Sequence, residues 1–240
     1  MLKQEKRQDL SLTDFGYQVL KVFALAHNYN KWVIALISPY IGRKILEVGC
    51  GVGNLTCYLR EKGELTSIDK SPVYIEHMKI DYPEVRYTAA DICDAGSLAK
   101  MQGYYDTVVC ANVLEHIKDD VKALGNMHGL LEAGGRAVIY VPACSFAYGE
   151  LDRKLEHYRR YNRRSLAEKM SCAGFAVEKI CYYNLPGLLG WFLNSRVLKR
   201  KNFSILQTLM YDKMIPLVSG IEKILPAPIG LSLLAVGRKT

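Results

Sequence analysis

Residues 45–59 read ILEVGCGVGNLTCYL, and no other stretch limits the fold as much. An apolar run carrying Glu47 meets glycines at 49, 51 and 53, and a pattern able to start a helix follows. That much flexibility in one place suits a sharp corner, where the backbone turns tightly and approaches a ligand with no Cβ in the way. In an open parallel sheet, ligands bind beyond the carboxyl ends of the strands, where the strand order reverses. The corner closes the first strand-like run of the chain.

Short apolar runs alternate with helically spaced segments from there on. KILEV (44–48), ELTSI (64–68), VRYTAA (85–90), YDTVVC (105–110) and RAVIYV (136–141) read as strands. PVYIEHMKI and DDVKALGNMHGLL, between them, have helical spacing. This strand–helix repetition predicts a parallel sheet covered on both faces. A helix near SLAEKMSCAG, a sixth strand FAVEKICYY (175–183) and a last strand LSLLAVGRK (231–239) complete the pattern. Upstream, residues 14–40 read as one or two amphipathic helices ending at Pro39. At 240 residues with 50% apolar content the chain is one domain with a full core. The polar start MLKQEKRQDL argues against export, and no apolar run reaches the roughly 20 residues of a membrane span. Seven cysteines, without a C-x-x-C pair, read as reduced thiols of a cytoplasmic protein.

The choice of ligand turns on electrostatic sign. A dinucleotide fingerprint is G-x-G-x-x-G beside a pyrophosphate. Here the spacing is G-x-G-x-G, enclosing Cys50 and ending at Gly53, with Asn54 where the fingerprint has its last glycine, and Glu47 stands two residues ahead of Gly49. A carboxylate there repels a pyrophosphate and favours a cation. The second strand ends in Asp69, where an acid can accept from two ribose hydroxyls.

With these residues in view, the chain resembles the class I S-adenosylmethionine-dependent methyltransferases over most of its length. LEVGCGVGNLT is similar to that family's first motif, SIDKS to its ribose acid and AADICD to its adenine motif. YDTVVCANVLEHIKD is similar to its fourth strand and loop, and LLEAGGRAVIYVP to its turn into the fifth strand. The resemblance implies a Rossmann-like, doubly wound α/β fold of seven strands in the order 3-2-1-4-5-7-6, with strand 7 antiparallel. It implies S-adenosylmethionine as cofactor, with Gly49, Gly51 and Gly53 facing its methionine part. Asp69 would bind the ribose, Lys70 flank the adenine, and Asp91 accept from the adenine amino group. The Ile92 backbone would hold the ring edge, and Asn112 and Val113 line the open side. Taken alone, Asp69 or Asp91 is equally a turn or cap residue. The whole chain then reads as a single methyltransferase domain. Residues 1–40 form a helical lid, 41–183 the cofactor core, 184–230 a helical insertion and 231–240 the last strand. Tyr29, in the lid, is placed to cover the sulfonium by cation–π attraction or to pack in the core.

Two histidines compete as base for the acceptor: His116, just past the fourth strand, and His157, in the polar stretch after the fifth. His116 alternatively supports the cofactor loop, and His157 alternatively sits on a charged surface helix. VLEHI also resembles the ubiquinone-pathway O-methyltransferases, where an E-x-x-E-H pattern is associated with a divalent metal. Asn112 replaces the first acid, so Glu115 and His116 alone make a thin ligand set and no metal is expected. No N-P-P-Y-like turn follows the fourth strand to stack a planar amide, and Cys144 in VPACS reads as packing.

The net charge of +8 concentrates in residues 153–164 and 196–201, pointing to an anionic partner or to solvated faces. Residues 184–230 are rich in Leu, Ile and aromatics at helical spacing. They read as a cover, a dimer surface, or a helix lying on an anionic membrane with Trp191 and Phe192 dipping in and Arg196, Lys199, Arg200 and Lys201 meeting headgroups. The function expected is methyl transfer to oxygen or nitrogen of a small or amphiphilic acceptor, such as a lipid-linked or isoprenoid compound. An RNA methyltransferase and a non-catalytic cofactor-binding partner protein are the rival readings. RNA is disfavoured, because no stacking platform is visible.

Overall fold

The computed structural model describes residues 15–200, 202, 204–225 and 227–240. Two helices, α1 (Phe15–Ala24) and α2 (His27–Ile37), precede the sheet. Then come β1 (Lys44–Val48), α3 (Thr56–Leu59), β2 (Glu64–Asp69), α4 (Pro72–Asp81), β3 (Arg86–Ala89) and β4 (Tyr105–Ala111). The chain continues through α5 (Asp120–Leu130), β5 (Leu131–Pro142), α6 (Glu150–Lys154), α7 (Arg163–Cys172) and β6 (Phe175–Tyr183). It ends with α8 (Leu185–Trp191), α9 (Ile205–Ile224) and β7 (Ser232–Lys239). The strands form one sheet in the order β3-β2-β1-β4-β5-β7-β6. Neighbours from β3 to β5 are parallel, and β7 runs antiparallel between β5 and β6. This is the doubly wound order expected.

The sheet buries both faces, so alternate residues of one strand enter different cores. Leu46 and Val48 of β1 join Val108, Ile139 and Ala235 on one face, covered by Leu124 and Met127 of α5 and Leu166 and Met170 of α7. Ile45 points the other way, with Val109, Val138 and Leu234, onto Val33, Ile34 and Ile37 of α2 and Leu59 of α3. Helix starts are set by local caps: Asp119 accepts from the Lys122 N–H (3.0 Å), and Asn162 from the Ser165 N–H (2.8 Å). All seven cysteines are free.

The insertion between β6 and β7 is helical, as expected, and its two acids hold it in place. Asp212 of α9 accepts from the backbone N–H of Asn28 (3.2 Å) and of Tyr29 (2.8 Å), in the first turn of α2. Those N–H groups have no partner within their own helix, and a carboxylate there also meets the positive end of the helix dipole. Glu222 does the same at the start of α8, accepting from Asn184 and Leu185 N–H groups at 3.0 Å. Ile215 and Val218 pack on Trp32 of α2 between these two anchors. The N-terminal helix α2 and the insertion are therefore joined to each other as well as to the sheet. The lid expected over 1–40 is described from residue 15 onward, and Lys201 of the basic cluster falls outside the described residues.

Candidate active site

A cleft of about 1070 Å³ opens at the carboxyl ends of the central strands, walled by the sheet, the first two helices and the insertion. Gly49, Cys50, Gly51 and Asn54 of the corner line it, as do Glu47, Asp69 and Lys70. Asp91, Ile92, Asn112 and Val113 add the next wall, and Tyr29, His116 and His157 also reach it. Gly53 does not.

The glycines act differently from the reading that they clear space for the ligand. All three adopt left-handed backbone, with φ of 77°, 51° and 83° at Gly49, Gly51 and Gly53. A Cβ on Gly49 would meet Val113 Cγ2 at 2.3 Å, and one on Gly53 would meet Met78 Cε at 2.4 Å. Those two spaces are filled by the protein's own side chains. What the corner offers a guest is a chain path that brings N–H groups and carboxylates together.

Asp69 is fixed at the end of β2, one oxygen accepting from the Gly51 N–H and the other from the Ser71 N–H, each at 2.9 Å. Burial lifts its pKa above the ordinary value despite those bonds. Glu47 is buried deeper. One of its oxygens takes hydroxyl protons from Thr56 (2.6 Å) and Ser67 (2.7 Å), and burial raises its pKa to about 7. After burial itself, these two acids are what push the Cys50 thiol upward. The corner is thus an acidic, partly desolvated wall, favourable to a cation carrying hydroxyl donors and unfavourable to a phosphate. The residues fit S-adenosylmethionine on charge and on donor pairing.

Asp91 is exposed and accepts from the Cys93 N–H (2.8 Å). Tyr29 packs between Phe23 and Trp32, its hydroxyl 3.3 Å from that of Tyr140. Asn112, Glu156 and Asn184 line the cleft with φ of 53°, 59° and 71°, a conformation that costs a non-glycine residue and gathers at functional clefts.

The two histidines meet edge to face, ring centres 4.6 Å apart. Burial, with the nearby His157 and Lys70, lowers the His116 pKa to about 3, so it stays neutral and is a poor proton acceptor. His157 is buried in an irregular turn after α6, where a charged surface helix was one of the two readings. Its Nδ1 lies 3.0 Å from Asp152 Oδ1. Asp152 also accepts from Arg160 Nε (2.8 Å), Trp191 Nε1 (3.2 Å) and the Gly149 N–H (3.0 Å). Burial pushes Asp152 up, but the His157 and Arg160 contacts outweigh it and hold it below the usual carboxylate range. Asp152, Arg160 and Asn184 went unnoticed in the sequence. Their spacing of five and eight residues from Asp152 to His157 and Arg160 matches no helix face, because Glu156 turns the chain with left-handed backbone.

Glu115, His116 and His157 present ligand atoms all within 4.8 Å of one another. The expectation of no metal rested on Glu115 and His116 alone, and folding adds a third group to them. Glu115 is buried, its Oε2 has no partner among the described residues, and burial raises its pKa to about 7. One carboxylate and two imidazoles, with Asp152 behind one imidazole, are a donor set able to hold a divalent transition metal.

The basic stretch 153–164 is largely spent on internal pairing. Arg153, Arg159, Arg160 and Arg164 pair with Glu150, Asp120, Asp152 and Glu168.

Compared with known proteins, residues 20–180 match the family model of a methyltransferase domain. The chain belongs to this methyltransferase family. Its cofactor is S-adenosylmethionine. The methyltransferase is 30% identical over 122 residues to the ubiquinone biosynthesis O-methyltransferase of Azotobacter vinelandii, covering 48% of this chain and 52% of that one. It is 28% identical over 108 residues to the enzyme of the same name from Pseudomonas aeruginosa PAO1, covering 41% and 44%. The matched region thus spans about half the length of these curated relatives. Among solved structures, a TehB-like SAM-dependent methyltransferase from Corynebacterium glutamicum aligns with a TM-score of 0.55 at 24% identity, over 89% of this chain and 88% of that one. A SAM-dependent methyltransferase from Archaeoglobus fulgidus aligns at 0.58 and 17% identity, over 88% and 94%. These two likenesses concern the fold. No helix among the described residues is long and apolar enough to cross a membrane.

Proposed function

We propose that the protein transfers the methyl group of S-adenosylmethionine to an oxygen or nitrogen of a small or amphiphilic acceptor, with His157 as general base. The observation that carries this reading is the buried Asp152–His157 pair at the cleft. With Asp152 ionised, the imidazole proton belongs on Nδ1, which leaves the Nε2 lone pair for the acceptor's proton. Methyl transfer is an in-line displacement whose reactivity resides in the cofactor, so alignment and proton removal are the protein's share. As the proton arrives, Asp152 and Glu115 stabilise the imidazolium. Arg160 Nη2 and Asn184 Nδ2 are buried donors without partners among the described residues, both residues line the same cleft, and they suit an acceptor rich in oxygen.

Oxygen is favoured over nitrogen by the likeness to the ubiquinone biosynthesis O-methyltransferases. Reading the chain as an RNA enzyme needs a free basic track, and four arginines of residues 153–164 are already in ion pairs.

Methyl release from labelled cofactor, measured with fractionated cell extracts as acceptor source, tests the proposal. His157→Ala is expected to lose about 10²–10⁴-fold in turnover while keeping its affinity for S-adenosylhomocysteine. Undiminished turnover removes His157 as the base. The closeness of Glu115, His116 and His157 supports a second reading, in which they hold a divalent cation that acidifies the acceptor hydroxyl as a Lewis acid. Loss of turnover on EDTA dialysis, with recovery on adding back Zn²⁺, Mn²⁺ or Mg²⁺, selects that version. Full activity after dialysis selects the metal-free base.

A further inference from the structure

Helix α9 is inverted relative to an ordinary surface helix. Residues 184–230 contain two acids, Asp212 and Glu222, against six Lys and Arg. Both acids turn inward to the N-terminal turns of α2 and α8, as described above. The outward face is left with Leu206, Met210, Met214, Leu217, Ile221 and Ile224, at steps of four, four, three, four and three, which form one stripe. Leu206, Leu217 and Ile224 are 68%, 66% and 85% exposed, so among the described residues the stripe is left largely uncovered. Lys213 and Lys223 stand exposed on the same helix. The preceding segment repeats the combination, with Leu189, Leu193 and Val197 exposed beside the exposed Arg196, Lys199 and Arg200. Contiguous apolar area of this kind, fringed by cations and free of exposed acid, marks an interaction surface.

We propose that this face docks on an anionic lipid bilayer, with the α9 stripe in the headgroup–acyl boundary and the Lys and Arg side chains against lipid phosphates. Two observations select this occupant. Charge is complementary, since within residues 185–225 every acid is consumed internally while the cations of α9 remain exposed. The face is also continuous with the cleft: Met210 and Met214 belong to the stripe and line the cleft as well. An apolar tail lying in a bilayer can pass over those two flexible thioether side chains to the histidines without crossing water. The inference rests on the proposed reaction for its substrate class, an acceptor resident in lipid. The docking itself does not depend on catalysis. Trp191 and Phe192, expected to dip into the membrane, turn inward, Trp191 under the Arg160 guanidinium and Phe192 against Phe146.

The test is sedimentation with vesicles of phosphatidylcholine alone and of phosphatidylcholine with phosphatidylglycerol, without cofactor or acceptor. Wild type is expected to pellet with the anionic vesicles at low salt and to be released by high salt. Leu217→Glu, on the solvent side of α9, is expected to bind about tenfold more weakly, and so is the Lys199→Glu, Arg200→Glu double variant. Calorimetry with S-adenosylhomocysteine on the same samples should show unchanged affinity, which keeps a failed membrane contact distinct from a failed cofactor reading and shows that the variants fold. Wild type that ignores anionic vesicles, or Leu217→Glu that binds them as well as wild type, overturns the proposal. So does a stable wild-type dimer that Leu217→Glu dissociates, since the stripe would then belong to a second copy of the chain.

Discussion

Glu47 holds a carboxyl group in a wall where water is scarce, bonded to two hydroxyls and near a second acid. Its raised pKa of about 7 means that the fold favours the proton more than the unfolded chain does. Below the ordinary carboxyl value that preference is fully expressed as stability, and it is lost as pH rises toward about 7. Glu47→Gln, which can still accept from Thr56 and Ser67, should match wild type in thermal melts near pH 4. It should be more stable at pH 8 by about 3 kcal/mol at most. The same variant should bind S-adenosylmethionine about tenfold more weakly at pH 8, with a smaller loss for S-adenosylhomocysteine, which lacks the positive sulfur. Equal losses for the two ligands would separate Glu47 from the sulfonium. At Asp69 the expectation is simpler. Asp69→Ala should cost about 2 kcal/mol of S-adenosylhomocysteine affinity in calorimetry, in keeping with charged hydrogen bonds to hydroxyl donors. Unchanged affinity would take away its ribose role.

Most of the secondary elements were readable because burial imposes a period. β1 begins and ends where KILEV does, β6 coincides with FAVEKICYY, and β7 begins one residue inside LSLLAVGRK. β5 runs five residues further back than RAVIYV suggested, since Leu131 still pairs with Tyr105 of β4 and an irregular stretch through Gly134, at φ of 79°, joins it to the run from Arg136. The turns were not readable. The left-handed backbone at Asn112, Glu156 and Asn184 has no compositional signature, yet it aims much of the cleft wall. The corner was legible as to its acids and not as to its glycines, whose Cβ space is taken by Val113 and Met78 through contacts distant in sequence. The link between α9 and α2 is the element-scale feature open to a direct test. Asp212→Ala leaves the first-turn N–H groups of Asn28 and Tyr29 without their acceptor, and should lower stability by about 1–2 kcal/mol in denaturant melts. A change within error would mean that water replaces the carboxylate there.

Over the whole molecule, one side of the cleft comes from the strand ends and loops of a shared fold, whereas the other comes from the N-terminal helices and the insertion. The first was therefore legible through motif order and charge. The second depends on where two helices of unrelated sequence settle, and on a His–Asp–Arg group assembled by a loop. Two buried carboxyls with pKa values raised to about 7 by burial, Glu47 and Glu115, line that cleft.

Because one carboxylate on α9 grips the opening turn of α2, two walls of the cleft are mechanically one piece. A guest that favours one placement of α9 therefore acts on α2 and Tyr29 as well. By reciprocity, any factor by which a guest against α9 changes affinity beside α2 is also the factor by which a guest beside α2 changes affinity at α9.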